Sequence, residues 1–417
     1  MSRTTSVLAI ALVLAAAAVT TSPATADKPR EWTHTWVSMP QQAEPHNMPP
    51  APFTQDGVTF KDATLRQTVH VSVGGEQIRL RFSNAFGGAP LPITAVSIAL
   101  PAEGKAGVGA VQPGSARPVT FNGRASTVVP MGALVVSDPI DFRLAPQSNL
   151  TVTTYLAAGQ ASNAITSHPG SRTSSHLLAG NHVTDDDLPG ATRTDHWYLL
   201  SGVEVLSRAT AVAIVGDSLT DGRGSTTNGN DRWPDRLLAR LQQHPTTART
   251  AVLNQAAGGN RVLADGLGPN VLARYDRDVL ATTGVTSVLV FEGVNDLGTA
   301  PATEAAQKQV ADDLIAAYQQ LVARSVGLRV YGATITPFGG NTGYDDPDGH
   351  RERARQRVNE WIRTSGAFAE VVDFDRVARD PRDPRRLNPA YDTGDHLHFN
   401  PAGYQALADA VPARWFR

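Results

Sequence analysis

Cysteine is absent from all 417 residues. That excludes disulfides, thiolate metal centres, a cysteine nucleophile and a cysteine-linked lipid anchor. A charge excess of either sign is lacking too. Lys and Arg number 37 against 39 Asp and Glu, a net charge of −2, so no long-range positive field exists to hold nucleic acid or an anionic membrane. Past residue 19 no apolar run reaches the ~20 residues of a bilayer crossing without charge, Pro or Gly, and stable membrane insertion is not expected. No repeat of solenoid or propeller period is found. The chain is 41% hydrophobic and 18% charged, a globular composition with material for about two domains at ~150 residues each.

What is present begins with a leader pattern. Met-Ser-Arg, the apolar run 7–19 and Ala24-Thr25-Ala26 form a charged n-region, an h-region and a small-residue cleavage site. The expectation is a secretory signal peptide over 1–26, cleaved after Ala26, and an extracellular mature protein.

From about Trp32 to Leu206 the pattern has period two and is broken by turn residues, as in Leu65, Gln67, Val69, Val71 and, after Gly74-Gly75, Ile78, Leu80, Phe82. That pair reads as a β-hairpin. Further strands are expected at 93–100, 133–136, 150–156 and 197–206, giving an all-β sandwich over 27–206. At Ala211 the pattern changes to short apolar runs at 211–215, 251–253, 287–291, 330–335 and 371–374, with amphipathic stretches between them. Five strand-helix units over 207–417 predict a doubly wound α/β domain with a parallel five-stranded sheet, whose functional residues follow the carboxyl ends of its strands.

Three segments at those positions, and one near the C-terminus, carry chemistry. Gly216-Asp217-Ser218-Leu219 follows the first strand, where a serine hydroxyl is lifted above the sheet edge. Asn254-Gln255-Ala256-Ala257-Gly258-Gly259 follows the second, and its paired glycines let a backbone N–H approach a reacting oxygen. Gly293-Val294-Asn295-Asp296 follows the third and offers an amide donor. Near the C-terminus Asp395 and His398 share one loop, a carboxylate placed to orient an imidazole base. Any one of these segments alone also reads as a helix cap or an ordinary turn.

Taken together in this order, Gly-Asp-Ser-Leu, Asn-x4-Gly, Gly-x-Asn-Asp and Asp-x-x-His resemble the SGNH hydrolases, also called GDSL esterases and lipases, over residues 209–417. The resemblance implies a flavodoxin-like sheet and a serine esterase needing no cofactor or metal. It implies Ser218 as nucleophile, His398 as base and Asp395 as its orienter. The oxyanion would be held by the Ser218 and Gly259 N–H groups and the Asn295 amide. Gly258 rivals Gly259 for that role, and Ala256 stands where relatives often carry glycine. Secreted relatives with an extra β domain include polysaccharide deacylases, which makes acetyl esters on polysaccharides the first substrate expectation and lipid or aryl esters the second. The polar loop 340–346 offers no apolar lid.

Two other readings compete. Asp217, Asp221, Asp296, Asp395 and His398 are also the residue types of a metal-dependent phosphoesterase. A non-catalytic secreted carbohydrate-binding protein is the alternative outside enzymology. The stretch 168–196, with His168, His176, His182, Asp185, Asp186, Asp187 and His196, reads as a solvated loop region rather than a metal site. Trp32, Trp36 and Trp197 read as strand packing rather than a sugar platform. Trp233 and Arg223 are placed either on the acyl or alcohol pocket or against the helix that begins near Pro234.

Overall fold

The computed structural model describes residues 29–417, so the leader expected over 1–26 lies outside the described residues. Two large antiparallel sheets, with three small ones of two or three strands, make up the first half. One orders Glu31–Val37, Leu200–Ser207, Gly75–Ser83 and Leu134–Val136, with Ile140–Leu144 also paired to Gly75–Ser83. The other has six strands, with Ala63–His70 and Asn149–Leu156 at its centre. Alternation sends Leu65, Val69, Leu150 and Val152 from one sheet and Ile78, Leu80, Phe82, Val203 and Val205 from the other into a single buried cluster, as period-two side chains on facing sides of two packed sheets do.

One sequence expectation fails here. Ala63–His70 and Gly75–Ser83 do not form a hairpin: the first pairs with Asn149–Leu156 and Ser175–Ala179, the second with Leu200–Ser207. The chain changes sheets between them. Ser72 and Val73 bond to Thr35 instead, and a Cβ at Gly74 would sit 2.2 Å from the Leu144 carbonyl oxygen. Alternation reports which face is buried, not which strand is the neighbour.

The second half is a parallel five-stranded sheet in the order Thr250–Ala256, Thr210–Gly216, Val285–Phe291, Arg329–Ala333, Glu370–Val372. This is the doubly wound order with its switch point beside the first strand. Helices Trp233–Gln242, Glu304–Arg324, His350–Thr364 and Pro401–Ala410 flank it. Strand residues such as Val212, Ile214, Val288 and Leu289 are fully buried, which explains their unalternating apolar runs.

The two halves interlock. Ala211, Ala251 and Leu253 of the parallel sheet belong to the β half's core cluster. Ser72 Oγ donates to the Val252 carbonyl at 2.9 Å. Buried Glu204 receives Arg79, Arg81 and the Thr283 hydroxyl. Trp36 and Trp197 are buried and meet edge to face at 4.9 Å, so both are packing residues, as expected.

Candidate active site

The site lies at the carboxyl end of Thr210–Gly216. Its last residue must be small, because a Cβ at Gly216 would stand 2.5 Å from Thr220 Oγ1 and 3.0 Å from the Phe291 carbonyl. Asp217 then caps the short helix Ser218–Asp221 by accepting the Leu219 N–H at 2.9 Å, and Gly222 closes it in the left-handed region at φ 103°. Ser218 is thereby the first helical residue, with its hydroxyl at a cleft between the two halves.

Ser218 Oγ lies 2.8 Å from His398 Nε2, and His398 Nδ1 lies 2.6 Å from Asp395 Oδ2. Asp395 Oδ1 accepts the His398 and Leu397 N–H groups at 2.8 and 3.0 Å. Burial would raise the Asp395 carboxyl. Hydrogen bonds from the His398 backbone and ring, with the ring's charge, overcome that effect and hold it well below the usual carboxylate range. Burial pushes the His398 imidazole below its ordinary value of 6.5; Asp395 opposes this, while Arg223 and Arg172 add to it. A neutral base facing a hydroxyl, with its far nitrogen donating to a carboxylate, is the arrangement needed to take a proton from serine.

The donors face the same cleft. Gly259 has φ +71°, and its N–H donates to no group among the described residues. The Gly258 N–H is already given to Asp221 Oδ2 at 2.9 Å, which removes Gly258 as a rival oxyanion donor. Asn295 Nδ2 donates one hydrogen to the Asn260 carbonyl at 2.8 Å, and its Oδ1 accepts the Tyr344 hydroxyl at 2.7 Å. The amide orientation is therefore set, and one N–H remains for the cleft. Asn260 is itself held through Arg274 Nε at 3.0 Å.

Thus the five residues expected from sequence line one cleft. Others went unforeseen: Tyr344, Asn341, which donates to the Asp395 carbonyl at 2.8 Å, and a wall from the β half including Gln41, Asn47, Gly170, Arg172 and His196. Apart from the polarity of 340–346, no local sequence signal marks them, because each acts across more than 40 residues of chain.

The reading of 168–196 as a solvated loop is corrected. His168 is buried at 3% exposure and bonds to Asp221 and the Met39 carbonyl, each at 3.0 Å, and His196 Nδ1 donates to the Pro169 carbonyl at 2.7 Å while lining the cleft. The five metal-type side chains do not gather. Asp296 takes the Val262 and Leu263 N–H groups, Asp217 and Asp221 hold Leu219 and Gly258, and no group of three metal-ligating residues is assembled among the described residues. Trp233 packs on Phe374 and donates to Thr220, whereas Arg223 does line the cleft. No helix among the described residues is long and apolar enough to cross a membrane.

Residues 214–406 match the model of the GDSL-like Lipase/Acylhydrolase family. Among solved structures, similar ones include an acetyl xylan esterase from Geobacillus stearothermophilus (21% identity, 48% of this chain and 92% of that one, TM-score 0.37). A GDSL-like lipase from Bacteroides thetaiotaomicron is also similar (16%, 48% and 85%, 0.36), as is an alpha/beta hydrolase enzyme from the metagenome of Lake Arreo (22%, 48% and 92%, 0.36). No curated protein matches the chain.

Proposed function

We propose that this chain, a GDSL/SGNH-type serine hydrolase, is an exported esterase that removes small acyl groups, acetyl first among them, from polysaccharides or other polar alcohols. The observation that carries the proposal is the unbroken line Asp395, His398, Ser218, with separations of 2.6 and 2.8 Å, ending beside the Gly259 N–H and the Asn295 amide.

In the proposed mechanism His398 Nε2 takes the Ser218 proton as Oγ attacks the ester carbonyl. Asp395 stabilises the resulting imidazolium, holding the Nδ1–H toward its carboxylate. The carbonyl oxygen becomes an oxyanion held by the Ser218 and Gly259 N–H groups and the Asn295 amide, each worth roughly 3 kcal/mol when preorganised. His398 then protonates the leaving alcohol, and an acyl-Ser218 ester remains. A water deprotonated by His398 attacks that ester and releases the acid. None of these steps draws on a metal or an organic cofactor.

Support for a polar substrate comes from the cleft walls. Gln41, Asn47, Arg172, His196, Asn341 and Thr342 line it, and the segment 339–346 brings Asn341 and Asp345 rather than an apolar cover. Export rests on the leader pattern over 1–26, and the proposed division is a β unit over 27–206 with the hydrolase unit over 207–417.

The test is release of nitrophenol from acetyl, butyryl and octanoyl esters, alongside acetate release from acetylated xylan, with Ser218→Ala as control. Acetyl activity abolished by the substitution is expected. Hydrolysis confined to octanoyl esters overturns the polysaccharide reading in favour of a lipase. Binding of xylan without turnover of any ester overturns the enzymatic one. Secreted protein whose N-terminus is not Asp27 overturns the assigned cleavage.

A further inference from the structure

We propose that His168, supplied by the β half, is a positioning residue for the oxyanion hole, acting through Asp221 and Gly258 on the Gly259 N–H. The inference rests on the esterase reading above but concerns residues outside the nucleophile, base and donors.

The two ring nitrogens of His168 both face acceptors. Nδ1 is 3.0 Å from the Met39 carbonyl oxygen, which can only accept, so Nδ1 carries a hydrogen. Nε2 is 3.0 Å from Asp221 Oδ1. A hydrogen must therefore lie between His168 Nε2 and Asp221 as well, and the pair is joined by a hydrogen bond inside protein, where such bonds are strong. The ring is clamped further by Trp197, stacked at 5.8 Å with planes 26° apart. His168 is 3% exposed and Asp221 1%.

Asp221 turns that clamp toward the chemistry. It lies three residues after Ser218 in the same short helix, and its second oxygen accepts the Gly258 N–H at 2.9 Å. That bond pins the peptide entering Gly258, and the next N–H along the chain is that of Gly259. The β half closes over Asp221 at a second point: a Cβ at Gly170 would come within 1.7 Å of Asp221 Oδ2, so this glycine lets the backbone lie directly on the carboxylate. One carboxylate thus ties together the β half, the helix bearing the nucleophile and the loop bearing a backbone donor.

Removing His168 leaves Asp221 with one bond fewer and an adjacent void, and the Gly258-Gly259 turn loses its fixed orientation. Because oxyanion donors act on charge that develops only in the transition state, the loss falls on kcat rather than KM. The full-length enzyme is compared with His168→Ala, His168→Gln and His168→Phe, using 4-nitrophenyl acetate turnover, inhibition by phenylboronic acid as a tetrahedral adduct, thermal melting, and amide hydrogen exchange in the peptide spanning 254–262.

For His168→Ala the expected result is a kcat lowered about 10- to 100-fold with KM within about 3-fold. The boronate inhibition constant rises in the same proportion, and exchange over 254–262 is faster. His168→Gln, whose amide still donates toward Asp221, recovers most of the loss. If alanine at this position fails to fold, His168→Phe, which keeps a ring on Trp197 and donates to neither Met39 nor Asp221, is expected to show the same split. Unchanged kcat and boronate affinity in a folded variant overturn the proposal. So does a joint fall of kcat, KM and melting temperature without recovery by glutamine, which is the signature of a merely structural contact. Labelling of wild-type Ser218 by a fluorophosphonate separates the two levels: an unlabelled wild type sinks the esterase reading itself, whereas a labelled wild type with unaffected variants sinks only the positioning role.

Discussion

Tyr344 donates its hydroxyl to Asn295 Oδ1 at 2.7 Å, and this bond decides which end of the Asn295 amide faces the cleft. Burial first, then the charge of Asp217, pushes the Tyr344 hydroxyl up to about 12, so it remains a donor throughout the working range. An amide with its oxygen so occupied presents nitrogen to the substrate.

Tyr344→Phe removes that constraint while keeping the ring that packs against Phe338. The expected outcome is a kcat for acetyl esters lower by about 10-fold, with KM little changed, since one donor is loosened rather than deleted. Steady-state kinetics on purified variant and wild type check it, and equal kcat values would contradict the orienting role.

The acidic limb of kcat/KM should lie below pH 6.5, because burial lowers the His398 value and Arg223 and Arg172 reinforce the effect. The base works only when neutral. Replacing Arg223 or Arg172 by glutamine removes positive charge near the ring, raises its pKa and moves the limb to higher pH, so activity at pH 5.5 falls more than activity at pH 8. A pH profile for each variant reads this directly, and a shift of the limb to lower pH would contradict it.

The contributions of Asp217 and Asp296 to stability should rise as pH is lowered from 8 toward 6. Burial raises Asp217 to about 7 and Asp296 to about 6, from an ordinary 3.8. An acid whose folded value is raised keeps its proton longer when folded, so its contribution is fully present below the unfolded value and is lost as pH rises through the folded one. Each such group changes stability by up to about 1.4 kcal/mol per pH unit inside that window. Asp217→Asn still offers an acceptor to the Leu219 N–H and cannot ionise; thermal melts across pH should show its melting temperature gaining on that of wild type as pH rises through about 7.

Glu204 ties the halves together and should be costly to remove. Although burial opposes its charge, hydrogen bonds from Arg79 and Arg81 and the nearby His34 and Thr283 hold it down at about 2. Glu204→Ala leaves two arginines without their shared partner and deprives Thr283 of its acceptor. Denaturant unfolding should show a loss of about 3 kcal/mol, and a loss within 0.5 kcal/mol, roughly the range of a surface substitution, would show that the interface does not depend on this cluster.

How far the residues could be read in advance depended on the range over which each acts. The four ordered segments and the change from alternating to continuous apolar runs at Ala211 are local signals. They sufficed for the class of fold and for bringing Ser218, Gly259 and Asn295 to one sheet edge, since strand ends in a parallel sheet converge by topology, whereas Asp395 and His398 reach it on the loop before the last helix. Which of two adjacent glycines has a free N–H was not local: it turned on Asp221, 37 residues away from Gly258. The hairpin expected around Gly74-Gly75 failed for a related reason, because alternation encodes a buried face and leaves the pairing partner open.

What the amino-acid order determined by itself was therefore chemical type and periodicity: a nucleophile and two donors each following a strand, with a base and a carboxylate on one loop near the C-terminus, behind a β-rich first half. Only the folded chain decided the wall opposite them, the orientation set by Tyr344 on Asn295, and the bond from His168 to Asp221 across 53 residues. Those contacts join segments remote in sequence, and their energy comes from burial and hydrogen bonding that exist only once the two halves are packed together.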